Sequence, residues 1–330
     1  MTLFSRHELE DAATLVHASM PPTPQHVWPL LSQAVGAPVL VKHENHAPTG
    51  AFKVRGGLTF IDWLRRAHPD KRGICTATRG NHGQSQTRAA IAAGLSARIY
   101  VPHGNSPEKN AAMRAYGGDL VEFGTDFDTA REEAVRYAKA QGLAVVPPFH
   151  RELVRGVATY GLELFQAAPD LDAVYVPIGC GSGICGTIAA RDALGLKTRI
   201  IGVVSTRADC ALRSVQAGRL VSTDSADTFA DGMAVRVPVS QAFEIYRHGA
   251  DRIIAVTDDE VAAAMRLIFR TTHNVAEGAA AASVAALMQE RAKMQGRKVA
   301  VILSGGNVDT DVFAAVLSGQ TPQVAAPAAP

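Results

Sequence analysis

The sequence predicts an α/β protein whose mostly parallel sheets carry helices on both faces. Short apolar, β-branched segments recur along the 330 residues, and a helical pattern follows most of them. Parallel strands need long crossover connections, usually helices, so this alternation is typical of a parallel sheet. A chain of this length has too many residues for one small hydrophobic core, so we predict two lobes.

The order of elements follows from these periodicities. Apolar runs predict strands at residues 38–41, 73–78, 97–102, 119–123, 143–146, 173–178, 199–204, 252–257 and 298–303. Helical patterns cover residues 53–66, 81–93, 126–141, 153–165, 261–272 and 277–293, with others starting at Pro107, ending at Leu194 and following Asn307. Residues 205–251 are more irregular, and the Ala/Pro-rich residues 321–330 predict a disordered tail.

Composition narrows the classes of function. Hydrophobic residues make up 47% and charged residues 19%, as expected for a compact globular protein. The net charge of +2 gives no electrostatic footprint for nucleic acid or an anionic membrane. The first residues lack a signal-peptide core, and no apolar run is long enough to span a membrane.

Cysteine usage predicts the compartment. The four cysteines lack a CxxC spacing, which favours free thiols in a reduced, cytoplasmic protein over a disulfide framework or a zinc site.

Lys53 stands in the first turn of a predicted helix, after Pro48-Thr49-Gly50. Thr49 or Gly50 is available as the helix cap. The helix dipole disfavours a cation at this end, and a lysine that loses its proton becomes a nucleophile that forms Schiff bases. On these residues alone, a surface lysine beside Arg55 is the alternative.

Three loops at predicted strand ends carry unusual residues: 78–83, 179–183 and 304–307. The small residues of Gly179-Cys180-Gly181-Ser182-Gly183 let backbone N–H groups converge on a phosphate at a helix start. Gly181, Gly183 and Gly186 also satisfy GxGxxG, so a NAD-dependent dehydrogenase is an alternative. The next strand, however, ends without the acidic residue that a ribose requires.

Asn81 and Ser304 each allow two interpretations. Asn81 follows a strand and opens a helix, where an asparagine is commonly a cap. Its amide could instead face a ligand. Ser304 could cap the last helix, or its hydroxyl could bond a neutral ring nitrogen.

Taken together, these motifs resemble one family. Residues 49–56, Gly80-Asn81-His82-Gly83, the glycine loop and Ser304-Gly305-Gly306-Asn307 occur in the order and spacing of fold type II pyridoxal-phosphate (PLP) enzymes of the serine/threonine dehydratase group. Residues 230–235 and 276–279 also resemble family stretches, and the resemblance spans about residues 20–315.

The resemblance implies a role for each motif. Lys53 would carry the cofactor as an internal aldimine, with Phe52 beside the ring. Asn81 would bond the phenolic oxygen, and Ser304 would face the pyridine nitrogen. The phosphate cradle would consist of Gly179, Cys180, Gly181, Ser182 and Gly183. Glu277 resembles an acidic family position near the cofactor.

The implied reaction is the elimination of water from an L-β-hydroxy-α-amino acid, with release of a 2-oxo acid and ammonia. Lys53 would act as general base. The catalytic residues are expected to be Lys53, Ser304 and Arg79, and those that bind the substrate Thr78, Arg79, Gly80, Asn81 and His82. The substrate could be threonine, serine, 3-phenylserine or 3-hydroxyaspartate. A non-catalytic binding protein on the same fold is a further alternative.

Three departures from the family pattern bear on function. Thr78 and Arg79 replace two small residues, which argues against racemase activity and makes Arg79 a candidate for side-chain specificity. Val204 and Cys210 stand where some relatives bind a divalent cation, leaving only Asp209, so no metal site is expected. The chain stops without a regulatory domain, which favours a catabolic role.

The resemblance also predicts the domains. Residues 1–72 and 150–320 would form a large cofactor-binding lobe, and residues 73–149 a small mobile lobe, as in tryptophan synthase β-like folds. A homodimer is expected. His150 would line the substrate entrance.

Overall fold

The computed structural model describes residues 2–323, and the predicted tail lies outside this range except for residues 321–323. The strands form two sheets, one of six strands and one of four, that are mostly parallel. The larger has the order β1-β2-β10-β7-β8-β9. Its strands are β1 (Gln25–Val27), β2 (Val39–His43), β7 (Ala173–Pro177), β8 (Arg199–Ser205), β9 (Arg252–Val256) and β10 (Val299–Leu303). Only β1, at the edge, runs antiparallel to its neighbour.

The smaller sheet is built entirely from one internal stretch of the chain. Its order is β5-β4-β3-β6, and all of its pairings are parallel. The strands are β3 (Gly73–Ala77), β4 (Ser96–Val101), β5 (Asp119–Glu122) and β6 (Ala144–Val145).

Thirteen α-helices accompany the strands within the described residues. They are α1 (Arg6–His17), α2 (Pro29–Val35), α3 (Lys53–Ala67), α4 (Asn81–Ala92), α5 (Pro107–Ala115), α6 (Phe127–Gln141), α7 (Arg151–Ala167), α8 (Ser182–Ala193), α9 (Cys210–Ala217), α10 (Ser240–Gly249), α11 (Asp258–Thr272), α12 (Gly278–Gln289) and α13 (Thr310–Leu317). Three short 3-10 turns occupy Glu44–His46, Asp231–Met233 and Arg291–Met294.

Both faces of the larger sheet are covered, as the apolar strands predict. Alternate residues of β10 point to opposite sides: Val299 and Val301 join the core under α11 and α12, while Ala300 and Ile302 join the core under α7 and α8. Strands buried on both faces read as continuous apolar runs, which is why period-2 alternation is absent from them. The predicted fold class is therefore confirmed.

The structure contains elements that the sequence did not predict, among them α1, β1 and α2. The irregular stretch 205–251 contains α9, a 3-10 turn and α10. These helices are only 8 and 10 residues long and are separated by a stretch that contains Gly218 and Pro238, so a sequence window does not show their helical period. No helix among residues 2–323 is long and apolar enough to cross a membrane.

Candidate active site

The predicted loops meet at the carboxyl ends of the strands. Ala51 pairs with Gly305 in an isolated antiparallel bridge, and Phe52 N donates to Ser304 O at 3.0 Å. Lys53 Nζ donates to Ser182 Oγ at 3.0 Å, so the lysine reaches the glycine loop after β7. Parallel topology explains the convergence, because these loops all leave the same edge of the sheet.

Lys53 is the first residue of α3 and is half-buried. Burial lowers the pKa of its amine, while the nearby Cys180 and Glu277 act in the opposite direction and only partly offset this. Burial disfavours the charged form, so the lowered pKa favours the neutral amine, the form in which a lysine is a nucleophile.

The predicted cap of α3 is wrong. The residue before the helix is Phe52, which makes no side-chain capping bond, and the Thr49 hydroxyl donates to Ala51 O at 3.4 Å instead. Gly50 has φ +68° and turns the chain, a backbone conformation that glycine adopts without penalty. The helix therefore begins at Lys53 without a capping side chain, and the N–H groups of Val54 and Arg55 donate to Ala51 O at 3.5 Å and Phe52 O at 3.1 Å.

The glycine loop forms a cradle of backbone groups. Gly181 has φ +96° and immediately precedes α8. A Cβ on Gly181 would lie 2.7 Å from the Cβ of Ala242, so a larger residue would not fit. Ser182 opens the helix, and Cys180 is a half-buried free thiol whose pKa is raised by burial. Exposed N–H groups at a helix start are suited to a phosphate.

Two aromatic side chains, Tyr160 and Phe52, lie next to this cradle. Tyr160 OH donates to Gly183 O at 2.8 Å, and Phe52 packs edge-on against Tyr160 with ring centroids 6.0 Å apart. The Lys53 amine lies 5.0 Å from the centroid of the Phe52 ring. Phe52, which precedes Lys53 in the sequence, therefore also lies beside the Lys53 amine in the structure.

Asn81 is the first residue of α4 and faces the same space as Lys53 from the smaller sheet. Its Nδ2 donates to Glu277 Oε1 at 2.9 Å and to Oε2 at 3.0 Å. Glu277 is buried, and burial together with Asp231 raises its pKa to about 7, although Lys109, Asn81 and Lys53 oppose the shift. Ser304 is also buried, directly after β10.

Thr78 and Arg79 differ in their contacts within the loop that is predicted to bind substrate. The Thr78 hydroxyl accepts from Gly80 N at 3.0 Å and Gly83 N at 3.1 Å, so it fixes the start of α4. Arg79 is exposed, and within residues 2–323 it makes neither a hydrogen bond nor an ion pair. Hydrogen bonds from Thr129 are the main cause of the lowered pKa of Asp126, and the positive charge of Arg79 adds a smaller contribution.

His82 carries a buried nitrogen with no partner. Its Nε2 lacks a hydrogen bond among the described residues, and burial, reinforced by Lys53, lowers its pKa to about 3. An unpaired polar atom of this kind costs free energy unless a ligand or water satisfies it. His150, by contrast, caps α7 by accepting from Glu152 N at 3.1 Å, and its ring lies tilted against that of Trp63 with centroids 4.8 Å apart.

The motifs gave no indication of the contacts that Lys109, Asp231 and Asn307 make in the site. Lys109 of α5 forms a largely buried ion pair with Asp231, and both charges act on Glu277. Asn307 bonds both Thr49 and Asn81. The only sequence signal was the presence of Asp231 and Asn307 within stretches that resemble family motifs.

The donor set fits pyridoxal phosphate. The cradle at residues 179–183 offers backbone donors for a phosphate, Lys53 offers an amine for the aldehyde, and His82 Nε2 remains unsatisfied in the same space. The glycine loop itself, residues 179–183, contains no charged side chain. Within the described residues no group of three or more metal-ligating side chains is found.

Comparison with known proteins gives the same class. The family described as "Pyridoxal-phosphate dependent enzyme" matches residues 18–305. An L-threonine ammonia-lyase of Geobacter sulfurreducens is 37% identical over 287 residues, covering 87% of this chain and 71% of that protein. An L-threo-3-hydroxyaspartate ammonia-lyase of Saccharomyces cerevisiae is 29% identical over 311 residues, covering 94% and 95%.

A solved structure shows the same fold over nearly the whole chain. The processed form of threonine deaminase isoform 2 from Solanum lycopersicum superposes with a TM-score of 0.87 at 29% identity, covering 96% of this chain and 95% of that one. The fold and the site thus define a fold type II PLP enzyme. The chain belongs to the pyridoxal-phosphate dependent enzyme family.

These findings confirm the predicted family, fold, cofactor and enzyme class, a PLP-dependent lyase of the serine/threonine dehydratase type. They favour the phosphate of PLP over a dinucleotide at the glycine loop. The roles of individual residues stay predictions.

Proposed function

We propose that this protein is a PLP-dependent ammonia-lyase that converts an L-β-hydroxy-α-amino acid of the threonine/serine type into a 2-oxo acid and ammonia. The observation that carries the proposal is the position of Lys53. Its buried amine, with a lowered pKa, lies 3.0 Å from Ser182 of the glycine loop. The ammonia-lyases among its relatives support the same reaction class.

Each strand-end loop would hold one part of the cofactor. Lys53 would bond its aldehyde carbon, and the backbone of residues 179–183 would hold its phosphate. Asn81 would donate to the phenolic oxygen, Ser304 would face the ring nitrogen, and Phe52 would pack beside the ring. Bound PLP withdraws electrons from the substrate Cα, and a hydroxyl rather than a carboxylate at the ring nitrogen makes it a milder electron sink.

The protein's own groups would bind the substrate and move its protons. The N–H groups at the start of α4, held in place by the Thr78 hydroxyl, would bind the substrate carboxylate. The Lys53 amine would take the α-proton, because burial lowers its pKa and so favours the neutral form that acts as a base. Loss of the β-hydroxyl as water yields an enamine, which water then hydrolyses to the 2-oxo acid and ammonia.

A substrate panel tests the proposed function. We expect the purified holoenzyme to release a 2-oxo acid and equimolar ammonia from L-threonine or L-serine. The panel would also contain 3-phenylserine and 3-hydroxyaspartate, the alternative bulkier and acidic substrates. Release of no 2-oxo acid from any of the four, by a protein that binds PLP, would favour the non-catalytic alternative.

Arg79 is proposed to set side-chain specificity. It is exposed beside the substrate loop, and its guanidinium can pair a second carboxylate or stack on an aromatic ring. If it pairs a carboxylate, Arg79→Ala should lower kcat/KM for 3-hydroxyaspartate about tenfold or more while changing that for threonine little. If it stacks, the selective loss falls on 3-phenylserine.

Initial rates on the three substrates decide the matter. Arg6→Ala, which removes another exposed arginine on α1, serves as the control. Equal losses on all three substrates would reject a specificity role for Arg79.

We further propose a cytoplasmic homodimer in which residues 73–149 move as a small lobe against residues 1–72 and 150–320. The smaller sheet lies entirely within residues 73–145, which supports this division. Exposed Val27 and Leu30, at the edge of the larger sheet, offer apolar surface to a partner. Light scattering of the purified holoenzyme tests the dimer.

A further inference from the structure

Asn307 stands where three parts of the site meet, and no role has been assigned to it so far. It closes the segment Ser304-Gly305-Gly306-Asn307 after β10. Its amide nitrogen Nδ2 donates to Thr49 O at 2.8 Å and to Asn81 Oδ1 at 2.8 Å. One side chain therefore ties the turn before Lys53 to the first residue of α4.

We propose that Asn307 is a positioning residue: it orients the Asn81 amide so that an N–H group, and not the carbonyl, is offered to the phenolic oxygen of the cofactor. The inference rests on the proposed function, because it concerns the same cofactor site.

The orientation follows from the chemistry of the partners. The Thr49 carbonyl can only accept a hydrogen bond, so the Asn307 atom facing it must be the amide nitrogen. The same nitrogen faces Asn81, which must then present its oxygen. The nitrogen of Asn81 is left on the opposite side, where both carboxylate oxygens of Glu277 accept from it at 2.9 and 3.0 Å.

This arrangement determines what Asn81 can offer. Its oxygen is turned towards Asn307, from which it accepts a hydrogen bond. Its nitrogen has two hydrogens that diverge widely, whereas the two oxygens of one carboxylate lie close together, so both Glu277 oxygens share one N–H group. The remaining N–H is a donor, which a negatively charged phenolic oxygen requires.

The backbone around Asn307 keeps it in place. Gly306 N donates to Gly50 O at 2.8 Å, and Val308 N donates to Gly306 O at 2.9 Å. Gly50, at φ +68°, faces the Asn307 side chain so closely that a Cβ there would overlap it. The turn that precedes Lys53 thus fixes the Asn307 amide. The hydrogen bond from Asn307 to Asn81 Oδ1 in turn fixes the orientation of the Asn81 side chain.

The test replaces the donor with an isosteric acceptor. Asn307→Asp leaves a carboxylate facing the Thr49 carbonyl and the Asn81 oxygen, so the Asn81 amide should rotate and lose its donor to the phenol. We expect apo-protein to bind PLP about tenfold more weakly, the loss of one hydrogen bond to a charged group. The bound cofactor should shift from the phenolate to the phenol absorbance band.

Controls separate positioning from a merely structural role. Asn45→Asp makes the same change in a neighbouring asparagine. The Asn45 Nδ2 donates to Val275 O at 3.3 Å and makes no hydrogen bond to Asn81 or Asn307. The Asn45→Asp protein should therefore bind PLP normally. In an Asn81→Ala background, Asn307→Asp should change PLP affinity by less than about twofold, because its target is gone.

Three outcomes would overturn the inference. They are normal PLP affinity and spectrum in Asn307→Asp, an equal loss with and without Asn81, or an equal loss in Asn45→Asp. If Asn307→Asp does not fold, Asn307→Ala removes the donor without adding charge and is judged in the same cycle. Failure of the wild-type protein to bind PLP would instead overturn the proposed function, and the inference with it.

Discussion

Lys53→Ala is expected to lower the rate of 2-oxo acid release by roughly 10⁴-fold or more, the scale of a lost general base, and to remove the absorbance of lysine-bound cofactor. The amine of Lys53 is the buried nucleophile at the glycine loop, and its pKa is lowered by burial. Its removal deletes one hydrogen bond to Ser182, so the unfolding temperature should change little. Initial rates, absorbance and calorimetry give the three readouts.

Two further variants bound this interpretation. Lys53→Arg keeps a cation but cannot form the bond to the cofactor aldehyde, and it should be as inactive as Lys53→Ala. Lys71→Ala removes an exposed-loop lysine that donates to Gly142 O, and it should retain full activity. A Lys53→Ala protein that remains yellow and active would contradict the assignment.

Arg55→Ala is expected to destabilise the fold by about 3–5 kcal/mol, because it leaves buried carboxylates without their partner. Arg55 is fully buried. It donates to Glu44 at 2.8 and 2.9 Å, to Glu163 at 2.6 and 2.9 Å and to Thr159 at 2.9 Å. Lys42 completes the cluster with a 2.6 Å bond to Glu163.

Denaturant unfolding measures this loss against a control on the same helix. Arg66 pairs with Asp62 on the exposed side of α3 at 2.7 Å, and Arg66→Ala should cost only about 0.5 kcal/mol. Equal destabilisation by the two variants would show that the buried cluster contributes nothing beyond a surface pair.

The same cluster predicts a dependence of stability on pH. Burial alone would raise the pKa of Glu163, but Arg55 and Lys42 outweigh it and lower the pKa from 4.5 to about 2. A carboxyl with a depressed pKa in the folded state stabilises the fold above its unfolded value. This contribution is complete above about pH 4.5 and is lost as the pH falls towards 2, and Glu163→Gln should flatten that part of the stability curve.

The sequence predicted what short-range chemistry and topology determine. The strand-end loops around Lys53, Gly181 and Ser304 could be placed together, because parallel strands deliver their carboxyl ends to one edge. The glycine loop could be assigned to a phosphate, since it precedes a helix. Spacing of the motifs then identified the family.

Long-range pairings could not be predicted. Glu277 contacts Asn81 across 196 positions, and Glu163 contacts Arg55 across 108. Periodicity marks which residues are apolar, but it does not say which buried charges find each other. For this reason nothing in the sequence indicated that Arg55, two residues after Lys53, is fully buried.

Local chemistry also failed in one place. Thr49 and Gly50 have the composition of a helix cap, yet the turn they form is used to meet Gly306 and Asn307. A helix cap depends on contacts between residues that are close in the sequence. The turn at Thr49 and Gly50 instead depends on a contact with Asn307, more than 250 positions away.

Borohydride reduction followed by peptide mapping tests the central claim most directly. Reduction makes the bond between a lysine and PLP permanent, so mass spectrometry reports which lysine carried the cofactor. The account predicts one cofactor per chain, on the peptide that contains Lys53. Label on another lysine, or none on a wild-type protein that releases 2-oxo acid, would contradict it.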